Sequence, residues 1–217
     1  MDLLGVMACP YGLTEDGFET QIGTNHFGHF LLFQLLKPTL LASSTPEFHS
    51  RVINVSSAGH HLGKIRYDDI NFSSGDYSPL AGYGQSKLAN VYMANSIERH
   101  YGSQGLHGLS LHPGVIMATE LSRHLTPEML ASFASEDGYW EKYGKSVEQG
   151  AATTAWAAVE PKLEGKGGVY LADVGEASPA TENEAIGGPG YAAFAYDEEA
   201  EEKLWELSNK LVGITDE

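Results

Sequence analysis

Tyr83 and Lys87 stand four positions apart in Tyr83-Gly-Gln-Ser-Lys87. On a helix that spacing puts both side chains on one face, about one turn from each other. A free phenol has a pKa of about 10 and is a poor acid or base at neutral pH. A fixed ammonium beside it favours the phenolate and pulls the titration toward neutrality. The pair is therefore suited to moving a proton to or from an alcohol or carbonyl oxygen. A Tyr and a Lys that merely share a solvated helix face would show the same spacing, so the neighbouring motifs matter. Ser56-Ser57 closes the apolar run Val52-Ile-Asn-Val55. A hydroxyl there can donate to a carbonyl or a developing oxyanion, and its plain alternative is a turn or cap serine. Asn25 lies in the apolar stretch Thr24-Asn-His-Phe-Gly-His-Phe30. A buried amide there must bond a water or a neighbouring backbone group, and its plain alternative is to satisfy a kinked helix. Pro113-Gly114 follows a second apolar run. It lets backbone come close to a ligand, or is only a turn.

The elements that must position these groups follow from periodicity. Thr14 before Glu15-Asp16 reads as a helix start. Phe27, Phe30, Leu31, Phe33, Leu35 and Leu36 then cover most of a helix circumference, which predicts burial on more than one side. Residues 51–56 read as a buried strand, 106–111 as a second and 168–172 as a third. Residues 58–82 read as a long loop. Tyr83 to Tyr101 carries helical periodicity in Leu88, Val91, Tyr92 and Ile97. Ser146 caps a helix to Val159, with Glu148-Gln149 near the third position and Pro161 beyond its end. Residues 175–195 read as irregular. Asp197 opens an amphipathic helix with Leu204, Trp205, Leu207 and Leu211. Strands alternating with helices predict a parallel sheet with helices on its faces. The chemistry of such sheets sits at the carboxyl ends of the strands, here after Val55, Leu111 and Leu171. No internal repeat or domain boundary is visible, so residues 1–217 read as a single domain.

Composition narrows the partners. Hydrophobic residues make up 42% of the 217, enough to bury a core. Lys+Arg 13 against Asp+Glu 29 gives a net charge of -16. That sign argues against nucleic acid or an anionic membrane as partner. Cys9 has no second cysteine for an intrachain disulfide. Met1-Asp2-Leu3-Leu4-Gly5 carries an acid where a signal peptide needs base. The apolar stretch Phe30 to Ala42 is broken by Gln34, Lys37 and Pro38, so no membrane span is expected. The expected location is cytoplasmic.

Five segments in order carry a family resemblance: Gly5-Val-Met-Ala-Cys-Pro10, Thr24-Asn-His-Phe-Gly-His-Phe30, Arg51-Val-Ile-Asn-Val-Ser-Ser57, Tyr83-Gly-Gln-Ser-Lys-Leu-Ala-Asn90 and Leu111-His-Pro-Gly-Val115. The chain resembles the short-chain dehydrogenase/reductase family, in its retinol-dehydrogenase-like and WW-domain-oxidoreductase-like branch. The resemblance runs from residue 5 to about 125, and more weakly through 168–172. It implies an α/β fold, a partial Rossmann-type doubly wound parallel sheet with helices on both faces. It implies that Tyr83 is the acid/base and that Ser57 orients the substrate oxygen. Lys87 would lower the tyrosine pKa and hold the nicotinamide ribose hydroxyls. Asn25 would hold a water in a proton relay. Gly114 and Val115 match the turn along the nicotinamide, and Thr119 matches the carboxamide or phosphate contact. The implied reaction is reversible hydride transfer between NAD(P)(H) and a small apolar alcohol or carbonyl. The cofactor is NADP or NAD, with NADP favoured by the resemblance. No metal is implied, and a homo-oligomer is compatible with it.

Three departures accompany the resemblance. The family opens with a strand, a glycine-rich turn and a helix whose amides hold the pyrophosphate. No Gly-x-x-x-Gly-x-Gly occurs before Gly5, so the N-terminal strands are expected to be missing and a strand near residues 2–7 to form a raw edge. Of the family's Asn-Asn-Ala-Gly segment only Gly5 remains. Val115-Ile-Met-Ala-Thr119 is one residue longer than the usual spacing, which leaves Ala118 as the alternative to Thr119. The competing expectation is an inactive, truncated remnant that binds a protein through its sheet edge or through the Phe27–Leu36 helix. His26, His29 and His60-His61 lack the third ligand a zinc site needs and read as packing and loop residues. Residues 120–145, with Pro127, Met129, Phe133, Tyr139 and Trp140, lie where the family carries its substrate lid.

Overall fold

The computed structural model describes residues 5–133, 138–182, 184 and 187–214. Among them, β1 (Ser50–Val55), β2 (Leu106–His112) and β3 (Val169–Ala172) form a parallel sheet. Ser50 lies opposite Leu106, Val55 opposite Leu111, and Leu109 opposite Val169. A two-residue strand, β4 (Gly175–Glu176), returns antiparallel beside β3, and the order is β1-β2-β3-β4. The helices are α1 (Thr20–Ile22), which continues through a π turn (Gly23–Phe27) into α2 (Gly28–Ser43), then α3 (Pro79–Tyr101), α4 (Pro127–Phe133), α5 (Tyr139–Tyr143), α6 (Val147–Val159) and α7 (Glu198–Leu211).

Every residue of β2 is buried, because helices cover both faces of the sheet, as parallel strands require. On one face, α3 sets Leu88, Val91 and Tyr92 against Ile22, Phe27, Tyr170 and Leu204, while Met93 and Ile97 meet Phe30, Phe33, Leu106 and Trp205. On the other face, Ala157 of α6 and Leu163 pack on Leu109, Leu111 and Leu171. Local chemistry explains the helix ends. Pro79 opens α3 where its missing N–H costs nothing, and Arg99 and His100 occupy the last turn. Ser146 and Gln149 form the expected capping box of α6. The Asp197 carboxylate accepts from the Ala200 N–H at 3.1 Å and caps α7.

Four expectations need correction. Thr14 starts a turn, not a helix. Its carbonyl accepts from the Gly17 N–H and its hydroxyl from the Phe18 N–H, and Gly17 takes φ +82. The cap is Glu19, whose carboxylate accepts from the N–H groups of Gln21 and Ile22 at 2.8 and 3.0 Å. The span 58–82 is not all loop: a 3-10 turn (Ala58–Leu62) follows β1 directly, and α3 begins at Pro79. Residues 175–195 include β4. Residues 1–4 lie outside the described residues, and Gly5 to Met7 form no strand; the Val6 N–H and carbonyl bond the Asn25 side chain. The open sheet edge among the described residues is β1, which pairs only with β2. No described helix is long and apolar enough to cross a membrane.

Candidate active site

The carboxyl ends of β1 and β2 lie side by side, so Ser56-Ser57 and Pro113-Gly114 emerge at one edge of the sheet. Ser56 turns inward, and its hydroxyl donates to the Lys87 carbonyl at 2.7 Å, fastening the strand tip to α3. Ser57 turns the other way and lines an open cleft of about 710 Å³ with Tyr83, His112, Gly114 and Val115. The Ser57 Oγ accepts from the Gly59 N–H at 2.9 Å, which leaves its own proton to donate. Contact between this turn and α3 depends on two small residues. A Cβ at Gly59 would fall 2.6 Å from the Tyr83 Cε1, and one at Gly84 would fall 2.7 Å from the Leu62 carbonyl carbon.

Tyr83 and Lys87 are both buried on α3. The Lys87 ammonium lies 5.7 Å from the centre of the Tyr83 ring. It donates to the Val55 carbonyl at 3.1 Å, beside Asn90, which reaches the same oxygen at 3.1 Å. The phenol does not titrate where spacing alone would place it. Burial pushes Tyr83 up to about 12, with the Ser57 hydroxyl opposing the shift. Burial also brings Lys87 down to about 8. Desolvation is the largest cause at both groups. At neutral pH the site therefore holds a neutral phenol, which can give a proton, next to an ammonium with donor capacity to spare.

Asn25 is buried in the π turn, and its side chain has three protein partners. Its Oδ1 accepts from the Val6 N–H at 2.9 Å, and its Nδ2 donates to the Val6 carbonyl and to the Ser86 Oγ at 2.9 and 2.8 Å. It ties the Val6 backbone to Ser86 of α3, one position from Lys87. Its carbonyl meets the His29 Nδ1 at 3.1 Å. Gly114 adopts φ +94, and a side chain there would collide with the stem of Lys145, whose ammonium pairs with Asp173. Val115 is held from both sides by backbone bonds with Tyr143 and Lys145. Thr119 does not join this group. It is exposed, precedes a 3-10 turn (Glu120–His124), and its hydroxyl donates to the Ile116 carbonyl at 3.3 Å. Ala118 is exposed beside it. Neither residue lines the cleft, although their neighbours Met117, Leu121 and Ser122 do. Of the lid residues, Phe133, Tyr139 and Trp140 line the cleft, together with Leu121, Leu125 and Leu130.

Sequence reasoning missed two buried imidazoles. The His112 Nδ1 accepts from the Ala58 N–H at 3.1 Å, and burial brings the ring down to about 4. His60 is buried beneath Ser57. Both lie inside motifs already singled out, but their partners are distant in the chain. Among the described residues no group of three His, Cys, Asp or Glu could hold a metal.

A parallel α/β sheet with a Tyr–Lys pair on one helix and a serine at a neighbouring strand tip is an open α/β protein with polar side chains gathered at the carboxyl ends of its strands, where such sheets bind ligands. The comparisons place it more narrowly. No family model matches the chain. A short-chain dehydrogenase/reductase, prx1, of Penicillium roqueforti is 53% identical over 98% of this chain and 61% of its own. Human retinol dehydrogenase 13 is 39% identical over 97% of this chain and 59% of its own. The solved structure of an uncharacterised protein from Mycobacterium paratuberculosis is 32% identical, with a TM-score of 0.66, and covers 97% of this chain and 65% of its own. The chain belongs to the short-chain dehydrogenase/reductase family. It spans about three fifths of the length of the curated relatives it matches.

Proposed function

We propose that this chain carries the catalytic half of an oxidoreductase that moves a hydride reversibly between NAD(P)(H) and a small apolar alcohol or carbonyl. The observation behind this reading is that the Tyr83 phenol and the Ser57 hydroxyl line one cleft, with the Lys87 ammonium 5.7 Å from the centre of the Tyr83 ring. In the reducing direction Ser57 donates to the substrate oxygen, and Tyr83 gives its proton to that oxygen as the carbon is reduced. The residues present fit the nicotinamide end of the cofactor. Lys87 spends one donor on Val55 and keeps two for ribose hydroxyls. Gly114 and Val115 offer backbone close to the cleft floor. When bound, the nicotinamide supplies or accepts the hydride. Asn25 holds the Val6 backbone against α3 beside Lys87, and Thr119 is left as an outer contact. The leucines and aromatics of the cleft favour an apolar substrate.

Two measurements test this reading. NADPH fluorescence titration of the 217-residue chain is expected to saturate at micromolar cofactor, followed by NADPH-dependent reduction of medium-chain aldehydes. Tyr83→Phe is expected to abolish turnover while leaving cofactor binding in place. Undiminished turnover in that variant would refute the assignment.

A second reading has its own observation. Leu32, Leu35 and Leu36 stand exposed on α2, and among the described residues β1 pairs only with β2. A non-catalytic module that binds a protein through this region would show no NADPH binding even at millimolar cofactor.

A further inference from the structure

His60 is fully buried in the 3-10 turn that follows Ser57. The Ala192 N–H donates to its Nε2 at 2.9 Å. A donor aimed at Nε2 forces the ring proton onto Nδ1. From there it meets the Ser57 carbonyl at 2.6 Å, with the Tyr170 hydroxyl 3.4 Å away. The next residue repeats the connection, since the His61 Nε2 meets the Gly190 carbonyl at 3.1 Å. The 190–192 segment is itself anchored, as the Ala180 and Tyr191 N–H groups donate to Tyr191 and Ser178 carbonyls. A protonated His60 would set two donors face to face at Ala192, and burial brings the ring down to about 3, so it is neutral throughout the working range.

We propose that His60 is a positioning residue: its Nδ1–H tautomer, selected by the Ala192 amide, fixes the Ser57 carbonyl and so holds the Ser57 hydroxyl at Tyr83. The 190–192 segment, 132 positions away from His60, thereby controls the serine. The kinetic consequence rests on Ser57 acting as the donor to the substrate oxygen; the wiring itself does not.

Two substitutions separate the two bonds. In His60→Asn the amide nitrogen takes the place of Nδ1 and keeps the bond to Ser57. In His60→Gln the longer amide reaches the Nε2 position, keeps Ala192 and loses the side-chain bond to Ser57, whose carbonyl then keeps only the backbone N–H of residue 60 at 3.0 Å. With NADPH and octanal, His60→Gln is expected to lose roughly tenfold to hundredfold in kcat with KM nearly unchanged, as small misplacements of a reacting group do. His60→Asn is expected to retain most of kcat. Equal losses in both variants, tracking their melting temperatures, would show a purely structural role and overturn the proposal. An imidazole 15N spectrum of the unmutated chain needs neither variant nor turnover. It should show His60 as an Nδ1–H ring that does not titrate between about pH 5 and 9. An Nε2–H ring, or a titrating one, overturns the wiring even if the enzyme is active. A correct tautomer in a chain without NADPH binding would instead refute the catalytic reading and leave the wiring standing.

Discussion

At the scale of single residues the site is a contest between burial and charge. Lys87 keeps its proton below about 8 and loses it above, because burial disfavours the ammonium. If the ammonium is needed, carbonyl reduction should fall as pH rises through about 8, well before Tyr83 titrates near 12. A pH profile flat from 6 to about 10 would contradict this. The same burial has a stability consequence with a definite sign. Lys87 moves from 10.5 to about 8 on folding, so its charge penalises the folded state below pH 8. Between those two values the folded state sheds the proton first, and the penalty fades as pH rises. Lys87→Met should therefore abolish turnover yet raise stability at pH 7 by ~1–3 kcal/mol. The gain should shrink toward pH 10. Val55 would still accept from Asn90, so the variant leaves no orphaned carbonyl. Calorimetric melts at the two pH values decide it, and a lower melting temperature at pH 7 would count against a penalised lysine.

At the scale of elements, the turn after β1 must touch α3 backbone to backbone. A Cβ at Gly84 would lie 2.7 Å from the Leu62 carbonyl carbon and 3.0 Å from the Gly59 oxygen, with no flexible side chain to yield. Gly84→Ala should cost about 2 kcal/mol or more and pull Ser57 away from Tyr83, so activity should fall further than stability does. A variant that melts like the parent would show that the turn and helix are free to separate. This contact also marks what the sequence made legible. Strand cores, the Ser146–Gln149 box and the Asp197 cap follow from local rules, and they appear within a residue or so of expectation. The Tyr–Lys–Ser meeting was legible because helix spacing and strand ends are also local geometry. What escaped has two sources, a side chain with unusual local reach and partners far apart in the chain. Glu19 caps α1 because its longer carboxylate spans two amides, where the pattern favoured Thr14. His60 takes its meaning from Ala192, and Thr119 is exposed although Met117 and Leu121 on either side of it line the cleft.

At the scale of the whole molecule, two surface properties oppose each other. Leu35 is 66% exposed, with Leu32 and Leu36 also exposed on α2, and among the described residues β1 pairs only with β2. Exposed apolar stripes and open strand edges favour association. The net charge of -16 opposes it by repulsion between copies. Repulsion between surface charges is screened by salt, with a Debye length of ~30 Å at 0.01 M falling to ~3 Å at 1 M, whereas apolar contact is not weakened by salt. Association of this chain should therefore rise as ionic strength rises, the opposite of what an ion-paired interface would do. Sedimentation velocity should show a monomer at low salt and dimers or larger species at about 0.5 M. Leu32→Gln with Leu35→Gln removes apolar area without altering charge. It should keep the chain monomeric at both salt concentrations and leave the melting temperature essentially unchanged, because these side chains touch little in the monomer. Salt-driven association that survives both substitutions would shift the contact from α2 to the β1 edge. A monomer at every ionic strength would mean that neither surface is adhesive enough to overcome the charge.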